Sequence, residues 1–339
     1  MTTYAINGFG RIGKLTLRVL LSKNANVAFI NDPQCTPEII AHQLEFDSVH
    51  GRFDQNIRYN KSSILINDKE IFIYNKRNIK ELPKRMANIV IDCTGKFKSK
   101  NQFELYADLG FNKAIISAAV PDEVGINIVY GVNQNIYKPD LHNVLSASSC
   151  TTNCLAPIIK ALHEDVGIKH GSYTTIHNVT NTQTIVDRPS KDLRRSRSAL
   201  TNLIPSTTNS AKAITQIYPE LSNKLTGHAV RVPILNSSLV DCCFEMVRPT
   251  SIEEINNTLK SYADNQLNGI LGFEVKSLVS SDYIGDSRSS IIDAVSTLVI
   301  NETQVKIYAW YDNEFGYSCQ VHRILEQMAG VEYAVYPQD

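Results

Sequence analysis

Apolar residues in the first 120 positions fall in short runs separated by turn residues. TYAING, VAFIND, NIVIDCTG (88–95) and KAIISA (113–118) each have the length and β-branched content of a buried strand. Between them, KLTLRVLLS, with Leu15, Val19 and Leu20 on a stripe near Leu17 and Leu21, and QFELYADLG (102–110) read as helices. Strands alternating with helices predict a doubly wound, Rossmann-type α/β domain. After position 150 the texture changes. GSYTTIHNVT (171–180), SLVDCCFEMV (238–247) and TQVKIYAWYD (303–312) are rich in β-branched and aromatic residues and read as long strands. SIEEINNTLKSYAD (251–264) opens with Ser251 three residues before Glu254, the signature of a capping box, and reads as a helix. Long strands broken by a few helices predict an α+β domain with a mostly antiparallel sheet. Near the C-terminus, Val321, Ile324, Leu325 and Met328 have helical spacing, so a last helix is expected to return to the first domain. The expected division is 1–149 plus a C-terminal helix at 317–339, and 150–316. A length of 339 residues suits two domains.

Lys+Arg and Asp+Glu both total 34, so no net field recruits nucleic acid or an anionic membrane, and any anion site is local. Seven scattered cysteines lack framework spacing and point to reduced thiols rather than a stapled secreted fold. The opening MTTYAINGFGRIG has no basic stretch followed by an apolar one, and no run of about 18 apolar residues occurs. The expectation is a soluble, cytoplasmic protein.

Within this frame GFGRIG carries the first chemistry. Gly8, Gly10 and Gly13 follow a strand and open a helix, and Asp32 ends the next strand, 19 residues after the last glycine. The early glycines allow a tight turn and close approach of backbone to a pyrophosphate, and Gly13 allows close packing of helix on sheet. The helix start offers unpaired N–H groups to phosphate. Asp32 suits an adenosine ribose and repels a 2′-phosphate, which favours NAD over NADP.

The second candidate is SASSCTTNC (146–154). A helix is expected from Cys150, although Pro157 interrupts its early turns. A cysteine at a helix start has its thiolate favoured by the dipole, whereas Cys154, a turn deeper, is expected to be buried and inert. Spacing alone leaves three readings open: structural cysteines, a nucleophile at Cys150, or a metal site. The metal reading lacks two further ligands at suitable spacing. Among eight histidines only His177 lies in a polar strand end, TTIHNVTNTQT, where it is either a base or a structural residue. DLRRSRS (192–198), STTNSAKA (206–213) and HAVRVP, with Arg231 in an apolar strand, are anion-site candidates or solvated and ion-paired segments.

INGFGRIG, SCTTNCLAP, DLRRSRS, IPSTTNSAKA, HAVRVP and YAWYDNEFGY, in this order, resemble the glyceraldehyde-3-phosphate dehydrogenases over nearly the whole chain. The resemblance implies a homotetramer that oxidises and phosphorylates glyceraldehyde 3-phosphate with NAD and inorganic phosphate, without a metal. It implies Cys150 as nucleophile and His177 as base, with imidazolium and the Cys150 N–H facing the developing oxyanion. Thr180 and Arg231 match the pocket for the substrate's phosphate, and Ser149, Thr151, Thr208 and Asn209 the pocket for the attacking anion, with Arg195 between the two. Gly8, Phe9, Gly10, Arg11, Ile12, Gly13, Asp32, Arg77, Thr94, Ser117, Asn313 and Tyr317 match positions around the cofactor.

Three positions depart from the family pattern. Ala147 replaces an asparagine, and Asn209 stands where glycine is usual; asparagine tolerates a left-handed backbone better than most residues, so the change bears on affinity for the incoming anion. Arg188 precedes Pro189 in a loop that reaches a neighbouring subunit's adenosine, where a cation would soften the preference for NAD. With TNTQT and FDSVHGR, Ala147 most resembles a branch found in arsenate-resistance operons, in which arsenate replaces phosphate. A sister activity on erythrose 4-phosphate fits less well, because Thr180 and Thr207–Thr208 suit the triose enzyme. A non-enzymatic cofactor-binding role fits poorly with an intact Cys150 and His177.

Overall fold

The computed structural model describes residues 2–97 and 99–330, and the chain divides into two compact units. The first takes the chain through Ile128, Gln134–Ser149 and the stretch from Ser318. Its elements are β1 (Thr3–Asn7), α1 (Arg11–Ser22), β2 (Asn26–Asn31), α2 (Pro37–Glu45), β3 (Ile57–Tyr59), β4 (Ser63–Ile66), β5 (Lys69–Tyr74), β6 (Ile89–Asp92), α3 (Lys100–Asp108), β7 (Lys113–Ile116), β8 (Ile126–Asn127) and β9 (Val144–Ser146). The strands form one sheet in the order β3-β4-β5-β2-β1-β6-β7-β9-β8. β1 runs parallel between β2 and β6, so the chain leaves β1 for one neighbour and later fills the other side. In doubly wound sheets that reversal opens a crevice at the strand C-termini. β2 stops at Asn31, so Asp32 stands just past the strand rather than within it. Fully buried Leu15, Leu17 and Leu20 line the inner side of α1, and the N-cap Thr36 accepts the Ile39 N–H at the start of α2.

Glycine matters most at two positions here. Gly8 has φ +96, and a Cβ on it would lie 2.8 Å from the Cys93 carbonyl carbon. A Cβ on Gly13 would come within 2.0 Å of the Gly8 carbonyl oxygen.

The second unit holds Val129–Asn133 and Cys150–Tyr317. It contains α4 (Cys150–Asp165), β10 (Ile168–His177), β11 (Ile204–Ser206), α5 (Ser210–Ile217), β12 (Leu225–Arg231), β13 (Ser238–Met246), α6 (Ile252–Asp264), β14 (Leu271–Glu274), β15 (Ser290–Ile300) and β16 (Gln304–Tyr311). Its sheet runs β11-β12-β10-β13-β16-β15-β14, antiparallel except at β10–β12 and β14–β15. β13 alternates buried and half-buried residues throughout, as a strand with one covered face must. Cys242 accordingly faces the core and Cys243 the other side. α4 remains a single helix through Pro157, which removes one internal backbone bond, because the residues around it are buried in the main core. The last helix, α7 (Phe315–Met328), begins at the end of the second unit and its body belongs to the first. The remainder of the 317–339 segment, from 331 onward, lies outside the described residues. Among the described residues no helix is long and apolar enough to cross a membrane.

The Gly13 contact yields a test. Gly13→Ala is expected to cost about 1–3 kcal/mol in urea unfolding, the range for overpacking a tight contact. A loss below about 0.5 kcal/mol, typical of an unconstrained surface site, would contradict it.

Candidate active site

In the first unit the dinucleotide candidates gather at the C-terminal ends of β1, β2 and β6. Gly10 caps α1 with no side-chain hydrogen bond, no acidic residue occupies the first turn, and a Cβ on Gly10 would meet nothing within 4 Å. Room is therefore left beside Gly10 at the helix start, where a phosphate is favoured. Asp32 accepts the Phe9 N–H (2.9 Å) and the Gln34 N–H (2.9 Å), which fixes the carboxylate beside the glycine turn. A cleft of about 600 Å³ lined by Cys35, Thr36, Tyr59 and Lys61 follows Asp32 in the chain. Arg11 and Lys14 both pair with Asp47, whose carboxyl these cations and the Val49 and His50 N–H groups hold below the usual range despite burial. Ile12 is half-buried in the first turn of α1. Thr94 bonds Asp92, the Ser117 N–H bonds the Asp92 carbonyl (3.0 Å), and Arg77 is exposed in the loop after β5. These residues fit a dinucleotide.

In the second unit α4 begins at Cys150 and β10 ends at His177, and the two side chains meet: Cys150 Sγ lies 3.6 Å from His177 Nε2. His177 Nδ1 is 2.9 Å from the Asn178 carbonyl oxygen and within reach of the Arg231 guanidinium. The tautomer that donates to the carbonyl leaves Nε2 to accept from sulfur, and the one that accepts from the guanidinium carries its proton on Nε2. β10 pairs with β12 so that His177 stands opposite Arg231. Arg231 Nη1 crowds Nδ1 at 2.5 Å and donates to the same Asn178 carbonyl at 3.1 Å. Tyr311 Oη lies between Thr151 Oγ1 (3.0 Å) and Thr175 Oγ1 (2.8 Å), and its ring meets the imidazole edge to face. Ser238 Oγ accepts the Asn178 N–H (3.2 Å) and donates to Asn313 Oδ1 (3.0 Å), so the strand end bearing His177 is tied to Asn313. Asn313 and Tyr317 are both buried.

The electrostatics correct one expectation. Burial pushes the Cys150 thiol up, although the Arg231 charge and the Thr151 and Cys150 N–H groups pull the other way. The helix start thus moderates the thiol without making it a resting thiolate. His177 is pushed down to about 3, first by burial and then by the Arg231 charge. Both shifts favour a neutral thiol beside a neutral imidazole. Cys154 is fully buried, bonds Ser290 Oγ (3.5 Å) and is pushed up to about 12 by burial.

The anion candidates divide between shared and local contacts. Arg195 pairs with Asp192 (3.2 Å), and its side chain bonds Ser206 Oγ (2.8 Å) on β11, the strand beside the one carrying Arg231. Thr208 accepts the Ser210 N–H (3.3 Å) two residues beyond Ser206. Thr180 is exposed, its Oγ1 bonded to Gln183 Oε1 (3.0 Å) and Thr182 (3.0 Å). Ser149 directly precedes the helix and is half-buried. Asn209 sits at φ −98, ψ 6 as the N-cap of α5, a conformation open to any residue. Among the described residues no group of three or more His, Cys, Asp and Glu side chains is placed to hold a metal ion. The sequence reading missed Tyr311, Thr175 and Ser238. Each occupies a position of an alternating strand pattern that looked purely structural.

Residues 2–100 match the family described as glyceraldehyde 3-phosphate dehydrogenase, NAD binding domain, and residues 149–313 match its C-terminal domain. The chain is 50% identical over 325 residues to glyceraldehyde-3-phosphate dehydrogenase 3 of a Nostoc species, covering 95% of each chain. It is 45% identical to the glyceraldehyde-3-phosphate dehydrogenase of Geobacillus stearothermophilus, covering 96% of each. It is 40% identical to glyceraldehyde-3-phosphate dehydrogenase 2 of Bacillus subtilis, again covering 96% of each.

A neutral resting thiol has a kinetic signature. In cofactor-free enzyme, the rate of Cys150 alkylation by iodoacetamide is expected to climb with pH from 6 to beyond 8, roughly tenfold per unit while thiolate is the minor form. A rate that levels off near pH 6 would show a resting thiolate and contradict the electrostatics.

Proposed function

Because the chain belongs to the glyceraldehyde-3-phosphate dehydrogenase family, we propose that Cys150 and His177 carry its oxidation of an aldehyde to an acyl phosphate. The observation behind this reading is the 3.6 Å contact between Cys150 Sγ and His177 Nε2 at a helix start. The thiol proton passes to Nε2 as sulfur attacks the aldehyde carbon, giving a thiohemiacetal. Bound NAD supplies the hydride acceptor. The imidazolium returns its proton to the alkoxide oxygen, which completes the thiohemiacetal. Loss of hydride then leaves a thioester on Cys150, and the neutral imidazole takes up the hydroxyl proton. A phosphate oxygen then attacks the acyl carbon, the C–S bond breaks, and 1,3-bisphosphoglycerate leaves Cys150 as thiolate. The imidazolium and the Cys150 N–H stabilise the oxyanion in each addition.

Thr180 and Arg231 serve the substrate's phosphate, and Ser149, Thr151, Thr208 and Asn209 the incoming anion, with Arg195 between them. Hydroxyls and guanidinium hold a phosphate without competing with sulfur as nucleophiles. Asn313, held by Ser238, orients the nicotinamide amide, and Tyr317 packs near it. In the first unit, the Gly8–Gly13 turn, Asp32, Arg77, Thr94 and Ser117 hold the rest of NAD.

Arsenate as the physiological anion is a second reading, favoured by Ala147 beside the catalytic segment. Phosphate and arsenate share shape and charge, so the same residues accept either. Erythrose 4-phosphate ranks below the triose on the strength of Thr180 and Thr208. Five large apolar side chains, Ile185, Val186, Leu193, Leu200 and Leu203, are exposed in one loop. A patch of that kind supports a homotetramer built through this loop, for which sedimentation velocity is expected to give four chains and a monomer would be the contrary result. Seven free cysteines support a reducing, cytoplasmic setting.

Formation of NADH from glyceraldehyde 3-phosphate should be sustained with phosphate or arsenate, and stall after about one turnover per chain with neither. Alkylation of Cys150 should abolish it. His177→Asn should lower kcat about 10²- to 10⁴-fold. Sustained turnover without an acceptor anion, or activity in Cys150→Ser, would overturn the reading.

A further inference from the structure

Beneath the candidate cofactor site the first unit buries a string of polar side chains that no catalytic step uses. Asn31, Asn7, Tyr106 and Asp92 are each 5% exposed or less. Asn31 Nδ2 donates to Asn7 Oδ1 (2.7 Å), Asn7 Nδ2 to Tyr106 Oη (2.6 Å), and Tyr106 Oη to Asp92 Oδ2 (2.7 Å). Every donor points the same way, and the string ends on a carboxylate. Both ends are fastened to loops. The Asn31 amide accepts the Lys76 N–H (2.8 Å) and donates to the Lys76 carbonyl (3.0 Å), next to Arg77. Asp92 Oδ1 accepts both the Thr94 N–H (3.0 Å) and the Thr94 hydroxyl (2.6 Å). In the middle, Asn7 immediately precedes Gly8, which packs on the Cys93–Thr94 backbone.

The string therefore joins three loops: the glycine turn after β1, the Lys76–Arg77 segment after β5, and the Cys93–Thr94 turn after β6. All three carry cofactor candidates. A buried carboxylate and two amides are a costly way to fill a strand end, since apolar residues of similar volume would stabilise it at least as well. What apolar packing lacks is direction. Hydrogen bonds with fixed donors set the separation and orientation of the groups they join, and a chain ending on a charge polarises each link.

We propose that Asn31, Asn7, Tyr106 and Asp92 form a positioning chain that holds the three loops in register for the dinucleotide, with Tyr106 as its central link. Tyr106 lies on α3, 99 residues from Asn7, so it fastens a distant helix to the glycine turn. Its ring packs against Phe97 and Phe111, and Tyr106→Phe deletes the hydroxyl while keeping that packing. The proposal rests on NAD binding by this unit, and the readouts below separate the two.

Dissociation constants for NAD, measured by quenching of protein fluorescence, test it alongside steady-state kinetics. Tyr106→Phe is expected to weaken NAD about tenfold, the loss expected when one buried hydrogen bond no longer orders a site. At saturating NAD, kcat and the KM for aldehyde should stay within about twofold, because the chain acts on cofactor loops alone. Asn31→Ala, at the other end, should weaken NAD similarly, and the double variant by no more than the larger single, since both break one chain. Unchanged NAD affinity in folded Tyr106→Phe, or additive effects in the double variant, would overturn the positioning role and leave a structural one. If Tyr106→Phe does not fold, Asn31→Ala alone decides, because Lys76 is half-buried and water can satisfy its main chain. A wild-type enzyme that binds no NAD would instead refute the cofactor assignment itself.

Discussion

The second unit is organised around one demand: a half-buried sulfur, Cys150 Sγ, must sit 3.6 Å from a buried imidazole nitrogen, His177 Nε2. Helix α4 supplies the sulfur at its first residue, and β10 supplies the imidazole at its last. Neither element meets the demand alone. The parallel pairing of β10 with β12 sets Arg231 against the imidazole, and the antiparallel pairing with β13 brings Ser238 under Asn178. Tyr311, from β16, bridges the first turn of α4 to Thr175 of β10. Helix start and strand end are therefore locked together by side chains from four strands, and burial of the imidazole follows from that packing.

Burial has a chemical consequence. Removing charge from water is expensive, so the thiol rises, the imidazole falls, and the resting pair is neutral. A pair of this kind meets a soluble alkylating agent mainly through its minor thiolate form. The same logic governs the first unit. There the helix start at Gly10 is left without a side-chain cap, and the polar atoms behind it are satisfied among themselves.

Much of this was legible in the chain. The alternation of short apolar runs with helical stripes gave the parallel sheet, because buried parallel strands and amphipathic helices have different periods. The glycine spacing of GFGRIG was legible for a steric reason, since Gly8 and Gly13 stand where a Cβ would strike backbone. Cys150 at a helix start could be read from the spacing of Leu155, Ile158, Ile159 and Leu162, and its contact with His177 could not, because 27 residues separate them and only the sheet brings them together. Tyr311 and Ser238 were invisible for the same reason, as ordinary members of alternating strands. Likewise Asn7, Asn31 and Asp92 carry no signal in the chain, because the bonds that join them to one another and to Tyr106 run between separate strands and a helix. The thiol's charge state was misjudged because a helix dipole is visible in sequence, whereas the depth of burial is not.

The most direct test of the account is to catch the acyl group on its sulfur. Enzyme mixed with glyceraldehyde 3-phosphate and NAD in phosphate-free buffer, quenched in acid and digested, should yield a Cys150 peptide carrying a 3-phosphoglyceryl thioester, close to one per chain. Adding phosphate before the quench should return that peptide to free thiol while Cys154 stays unmodified throughout. An adduct on any other cysteine, or none on Cys150 while NADH is formed, would contradict the assignment of Cys150 and His177 as the site of reaction.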